Sequence, residues 1–366
     1  MNNQHQSGDV LKLDSNMRIP QPDDQLFKWY SPLEQPFYLA GFGWQREQQL
    51  YRRLPENPTW ILPEAVDNLA NCTAGGQIRF ITNAVSLSIK VKLFSAANMY
   101  HMPATGQCGF DCYIGEPGEQ FYCSTTRYDS KQTEYESVMF TDMDRINRSI
   151  TLNFPLYQGV QEVWIGLDPS AQIASPPAYD NSDKIIMYGT SITQGGCATR
   201  PGMAYPNILS RRINREFLNL GFSGNGKGEP ELAHILAEIP DPACLVLDYE
   251  ANCVSTESLQ TTLPEFIRIY RNKHPHTPIL VISCITYAKE RYNEALRLEK
   301  EDRKRVQLST VEQLRENGDA NIYFYDGSTL LGEDAHECTV DGVHPTDLGF
   351  MRMADGLTPV LMKILE

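Results

Sequence analysis

From residue 184 onward, short apolar runs alternate with helix-length amphipathic stretches, and that alternation leaves this half of the chain few folds to adopt. The runs lie at 184–188, 217–221, 243–249, 278–285 and 321–325; helical patterns fall between them at about 201–216, 229–239, 257–273 and 289–317, and a last one follows at 347–365. A short uninterrupted apolar run suits a strand covered on both faces, and a helix is the usual crossover between parallel neighbours. The pattern predicts a parallel sheet with helices on both sides over residues 178–366, and in such sheets ligands bind beyond the carboxyl ends of the strands.

The preceding half follows a different rule. At 85–93, Val-Ser-Leu-Ser-Ile-Lys-Val-Lys-Leu alternates apolar and polar residues, the period of a half-buried strand. Similar pieces lie at 78–84, 109–114, 149–154 and 160–166, separated by turn residues and without a helix-length amphipathic stretch. Residues 26–177 are therefore expected to form an antiparallel β-sandwich of jelly-roll type. The stretch 169–177, which ends in Ser-Pro-Pro, reads as a linker, and residues 1–25 as a polar N-terminal segment.

Composition removes several classes of function. The formal charge of −14 and the lack of a Lys/Arg-rich stripe argue against a nucleic-acid partner. No apolar run approaches the ~18 residues needed to span a bilayer, so no membrane partner is expected. The start, Met1-Asn-Asn-Gln-His-Gln-Ser-Gly8, lacks the basic and apolar regions of a signal peptide. A cytoplasmic chain is the expectation, although a processed exported protein would leave the same evidence. The nine cysteines cannot all pair within one chain and lack CxxC spacing, which favours reduced structural thiols over a metal site.

Chemistry concentrates at the strand ends. The first apolar run breaks into Gly189-Thr-Ser-Ile-Thr-Gln-Gly195, a tight turn that presents the hydroxyl of Ser191. A serine hydroxyl needs a base before it can attack a carbonyl. Asp341-Gly-Val-His344-Pro345, just ahead of the last helix, places a carboxylate and an imidazole three residues apart. His344 is the candidate base and Asp341 the group that orients its ring; His336 is its nearest rival. The glycine-rich Asn219-Leu-Gly-Phe-Ser-Gly-Asn-Gly-Lys-Gly228 follows the second run and can bring backbone N–H groups to a developing oxyanion. It is not a phosphate loop, because Lys227 is followed by glycine instead of Ser or Thr. After the third run, the carboxamide of Asn252 can donate a further hydrogen bond. A nucleophilic Cys197 is the weaker alternative, since nothing in the sequence fixes a base beside it.

In order and content, Gly189-Thr-Ser191-Ile-Thr, Gly221-Phe-Ser-Gly224, Glu250-Ala-Asn252 and Asp341-Gly-Val-His344 resemble the four blocks of the SGNH hydrolases, the GDSL-type esterase superfamily. The resemblance covers residues 183–366. It implies a flavodoxin-like three-layer α/β/α hydrolase domain, a triad of Ser191, Asp341 and His344, and an oxyanion hole formed by the Ser191 and Gly224 amides with the Asn252 side chain. Whether Gly221 or Gly224 lies nearer the oxyanion is open. Two positions depart from the common pattern: Ile192 replaces the usual leucine after the serine, and Glu250-Ala-Asn252-Cys253 replaces Gly-x-Asn-Asp. Upstream, Tyr51-Arg-Arg-Leu-Pro55 and Gly109-Phe-Asp-Cys-Tyr113 are similar to the β-domain of a two-domain bacterial subgroup with a G-x-D-L-Y motif, here with Cys112 for Leu. Strand-end hydrogen bonding is the favoured reading of Asp111 and Tyr113, ahead of substrate contact.

Related two-domain groups include carbohydrate esterases. The resemblance thus implies a serine esterase that removes small acyl groups, acetyl foremost, from a small-molecule or oligosaccharide ester, as acetylxylan esterases do. Neither a metal nor an organic cofactor is required. A thioesterase or lysophospholipase, and a carbohydrate-binding protein with a vestigial hydrolase half, are the alternatives. Self-association as a homo-oligomer is left open.

Overall fold

The computed structural model describes residues 10–19, 26–44 and 50–366, so most of the expected polar N-terminal segment, 1–9 and 20–25, lies outside the described residues. The next part of the chain forms two antiparallel sheets. One orders β1 (Lys28–Tyr30), β9 (Val160–Leu167), β4 (Leu87–Leu93) and β7 (Glu134–Phe140). The other orders β10 (Ile173–Ala174), β3 (Gln77–Thr82), β8 (Arg148–Asn153), β5 (Asp111–Ile114) and β6 (Phe121–Thr125), with β2 (Tyr38–Ala40) paired to β3. Their inward residues, among them Phe80, Ile89, Val91, Phe110, Leu152, Phe154 and Ile165, form one core. The expected alternation at 85–93 is realised in β4. β6 was not expected: it is an edge strand whose residues are exposed or half-buried, so no apolar period marks it. The predicted linker is not free chain throughout, because Ile173 and Ala174 pair with Thr82 and Ile81 of β3.

The second half forms a five-stranded parallel sheet in the order β12-β11-β13-β14-β15. Its strands are β11 (Lys184–Gly189), β12 (Glu216–Gly221), β13 (Pro242–Asp248), β14 (Ile279–Ile282) and β15 (Ile322–Tyr325). This is the flavodoxin-like order, with the first strand lying between the second and the third and a switch point beside it. Apolar side chains of helices Tyr205–Arg212 and Asp347–Leu365 cover one face, including Ile208, Leu209, Phe350, Met353 and Leu357. Helices Pro230–Ala237, Thr256–Lys273 and Glu294–Glu316 cover the other. The third of these is started by Asn293, whose side chain accepts from the Leu296 amide, and the second by Ser255, which accepts from Ser258.

Neither layer is completed by the second half alone. Leu54, Val66 and Ala70 enter the core on one face of the parallel sheet, and Ala74, Met102 and Leu156 enter the core on the other. At roughly 1.5–3 kcal/mol for each large aliphatic side chain taken from water, these contacts couple the stability of the two halves.

Candidate active site

Strand register assembles the site. Gly189 of β11 lies opposite Gly221 of β12 on one side and Asp248 of β13 on the other. The loops carrying Ser191, Gly224 and Asn252 therefore leave the sheet side by side. Glycine is required at these strand ends because a Cβ on Gly189 would sit 2.0 Å from Thr193 Oγ1, and one on Gly221 would sit 2.2 Å from the Gln194 amide nitrogen. Ser191 opens the short helix Ser191–Gln194, which is capped by the Thr190 hydroxyl and ended by Gly195 at φ 102°.

Ser191 Oγ stands 2.8 Å from His344 Nε2, and His344 Nδ1 stands 2.7 Å from Asp341 Oδ2. An ionised carboxylate only accepts, so Nδ1 carries the proton and Nε2 is left to accept from the serine hydroxyl. Asp341 Oδ1 also accepts from the Val343 and His344 amides at 3.0 and 2.8 Å. Burial presses the Asp341 carboxyl upward, but the bonds from the His344 amide and ring and the Val343 amide outweigh it and hold the group below its ordinary range. The sequence rival is set apart: His336 is half-exposed and lies 3.6 Å from Glu337.

Gly224 sits at φ 65°, a conformation that favours glycine, and a Cβ there would meet no atom within 4 Å. Asn252 Nδ2 donates to the carbonyl oxygens of Phe222, at 3.2 Å, and Asn225. In this arrangement it braces the glycine-rich loop. Glu250 is buried and turned toward the next strand, its carboxylate accepting from the Cys284 amide at 2.7 Å. Cys197 is buried, and burial followed by the nearby Asp341 carboxylate pushes its thiol up to about 12, which disfavours a nucleophilic thiolate.

The β-half reaches the same place, which sequence reasoning missed. The Tyr157 hydroxyl donates to the Ser191 carbonyl at 3.1 Å. His101 Nε2 lies 3.9 Å from Asp341 Oδ2, with its ring edge-on to His344 at a centroid distance of 5.8 Å. Both residues lie in loops, with no period or neighbouring block to mark them. Other motif residues join the halves. Asp111 is fully buried; its carboxylate accepts from Asn153, from Arg200 at 2.9 Å and from the Gly202 amide at 2.8 Å, while Arg200 also donates to the Tyr113 hydroxyl. Arg53, fully buried, donates to the carbonyls of Leu69 and Cys72 in its own half and to Asn219 and Gly221 at the end of β12.

Fold and site together define an ester hydrolase of the SGNH class. A family model for GDSL-like lipase/acylhydrolase matches residues 182–362, and a model for the N-terminus of SGNH-hydrolase-type esterases matches residues 27–173. A solved structure from Bacteroides ovatus, designated a GDSL-like lipase, is 32% identical with a TM-score of 0.85, covering 93% of this chain and 98% of that one. The chain belongs to the GDSL-like lipase/acylhydrolase family. At lower identity the fold is shared with a salicylyl-acyltransferase from a tetracycline biosynthetic pathway (17% identity, TM-score 0.73, covering 92% of this chain and 97% of that one). It is also shared with a family two carbohydrate esterase from Cellvibrio japonicus (14% identity, TM-score 0.58, covering 93% and 98%). No curated protein matches the chain.

Proposed function

We propose that this protein is a serine esterase that removes small acyl groups, acetyl foremost, from carbohydrate hydroxyls through an acyl-enzyme. The observation that carries the reading is the unbroken contact from Asp341 through His344 to Ser191, at 2.7 and 2.8 Å. Ser191 Oγ attacks the ester carbonyl while His344 Nε2 takes its proton, and Asp341 stabilises the imidazolium. The resulting oxyanion is met by the Ser191 and Gly224 amides, with Asn252 exchanging one of its loop carbonyls for the substrate oxygen. Collapse of the intermediate breaks the ester C–O bond, and His344 returns the proton to the leaving alcohol. Water, activated by the same imidazole, then releases the carboxylic acid and restores Ser191.

Two features support a sugar as the alcohol. Tyr100 stacks on His101 beside Asp341 with ring centroids 4.4 Å apart and is 92% exposed, which suits an aromatic platform for a pyranose ring. The carbohydrate esterase with the same fold adds the analogy of architecture.

The test is acetate release from peracetylated sugars and acetylated xylan, compared with octanoyl ester hydrolysis, using wild type and Ser191→Ala. Acetate release that falls by about 10⁴-fold or more in the variant, with the melting temperature unchanged, is the expected result. Preference for octanoyl esters would move the reading to a lipid or thioester acyl hydrolase. A fully active variant would overturn the serine mechanism.

A further inference from the structure

His101, Cys197 and His344 converge from three separate segments: a loop of the β-sandwich, the loop after the serine helix, and the block before the last helix. One ring nitrogen from each histidine and the cysteine sulfur lie within 4.8 Å of one another. The family reading accounts for His344 alone. Cys197 is held in the cluster by left-handed backbone, φ 76°, a conformation that costs a β-substituted residue energy and therefore calls for a reason. His101 Nδ1 is buried without a hydrogen-bond partner, although the ring itself is packed under Tyr100.

We propose that these three side chains form an inhibitory binding site for a thiophilic divalent cation, zinc being the best match to a donor set of two imidazoles and one thiolate. A tetrahedral zinc ion with N and S ligands sets donor separations of roughly 3.3–3.6 Å, so the present spacing has to contract by about an ångström, within reach of side-chain rotation. Binding releases the Cys197 proton to solvent as sulfur becomes a ligand, and the ion supplies the positive charge that favours the thiolate. Asp341, bonded to His344 Nδ1 and 3.9 Å from His101 Nε2, is positioned to orient both imidazoles from outside the ligand shell.

The consequence for turnover rests on the proposed role of His344. With Nδ1 committed to Asp341, the lone pair His344 can offer a metal is that of Nε2, the same one that would take the Ser191 proton. Zinc and the serine thus compete for one pair of electrons, and an occupied site is an inactive enzyme.

The experiment separates binding from catalysis. Cobalt(II) is titrated into the full-length protein and thiolate-to-cobalt charge-transfer absorption is recorded for wild type, Cys197→Ser, His101→Ala and Ser191→Ala; ester hydrolysis by the first three is measured against added zinc sulfate. The expected result is a band in wild type and Ser191→Ala, none in Cys197→Ser, and weakened binding in His101→Ala. Loss of even an outer-shell partner costs about 10–100-fold in metal affinity, so loss of a ligand should raise the zinc concentration for half-inhibition at least that far. Cys197→Ser should retain turnover without zinc. A band in wild type with turnover insensitive to zinc would overturn the inhibitory role and count against His344 as the base. Absence of a band in wild type, or equal zinc inhibition of wild type and both ligand variants, would overturn the proposal.

Discussion

Asp341 accepts from its own turn through the Val343 and His344 amides and from the His344 ring, so one carboxylate sets both the shape of the loop and the tautomer of the imidazole. Asp341→Asn keeps an acceptor but lacks the charge and can present an N–H to the ring, favouring the wrong tautomer. The expected outcome is a fall in kcat of roughly 10⁴-fold with little change in KM, read from steady-state kinetics on an activated acetyl ester. Asp248 illustrates the opposite environment. It is half-buried beneath the serine helix, and accepts from Thr193 Oγ1 at 3.1 Å and Tyr205 OH at 2.7 Å. Burial raises its carboxyl from 3.8 to about 7 despite those two bonds, and Glu250 adds to the rise. Because the folded value lies above the unfolded one, the stability Asp248 contributes is complete below 3.8 and is lost as pH rises through about 7. Asp248→Asn, neutral throughout, should melt on the order of 5 °C or more above wild type at pH 8, and the gap should close toward pH 4 in a series of thermal scans.

At the scale of elements, the parallel half was legible because its strands are short, mostly apolar runs that alternate with helix-length amphipathic stretches. The register that aligns Gly189, Gly221 and Asp248 follows from that pattern and places three of the four blocks together. In the sandwich the strands β3, β4, β5, β8 and β9 were legible, β4 most clearly because it alternates. β6, at its sheet's edge, is hidden because neither face of an exposed strand imposes a period. His101 and Tyr157 were illegible for a related reason: loop residues acquire their neighbours from the docking of two sheets, which no local spacing encodes. Arg53 is intermediate. Its motif could be noticed in the sequence, but its four carbonyl partners could not be inferred. Burial lowers its guanidinium to about 10, still protonated at neutral pH. Arg53→Ala leaves the Leu69, Cys72, Asn219 and Gly221 carbonyls without their donor, and a loss on the order of 4 kcal/mol or more is expected from urea unfolding.

At the scale of the whole molecule, the sandwich and the hydrolase sheet share cores, a salt bridge and the surroundings of the serine. Asp111→Ala removes the partner of Arg200 and the acceptor of the Gly202 amide. A destabilisation of about 3–5 kcal/mol is expected for breaking such a buried pair, and calorimetry should show one transition splitting toward two as the halves uncouple. The same interdependence bears on how the chain is made. Arg53 finds two of its acceptors 166 and 168 residues further along. At about 5–20 residues per second, a ribosome needs roughly ten to thirty seconds to supply them. For the part of that interval after the last sandwich strand is made, the newborn β-half carries a guanidinium with only its Leu69 and Cys72 acceptors in place, together with bare patches at Leu54, Val66 and Leu156 that the later half will cover. The order of synthesis thus leaves the first half waiting on the second, and a nascent-chain chaperone or a pause in translation would exert its largest effect on yield within that window.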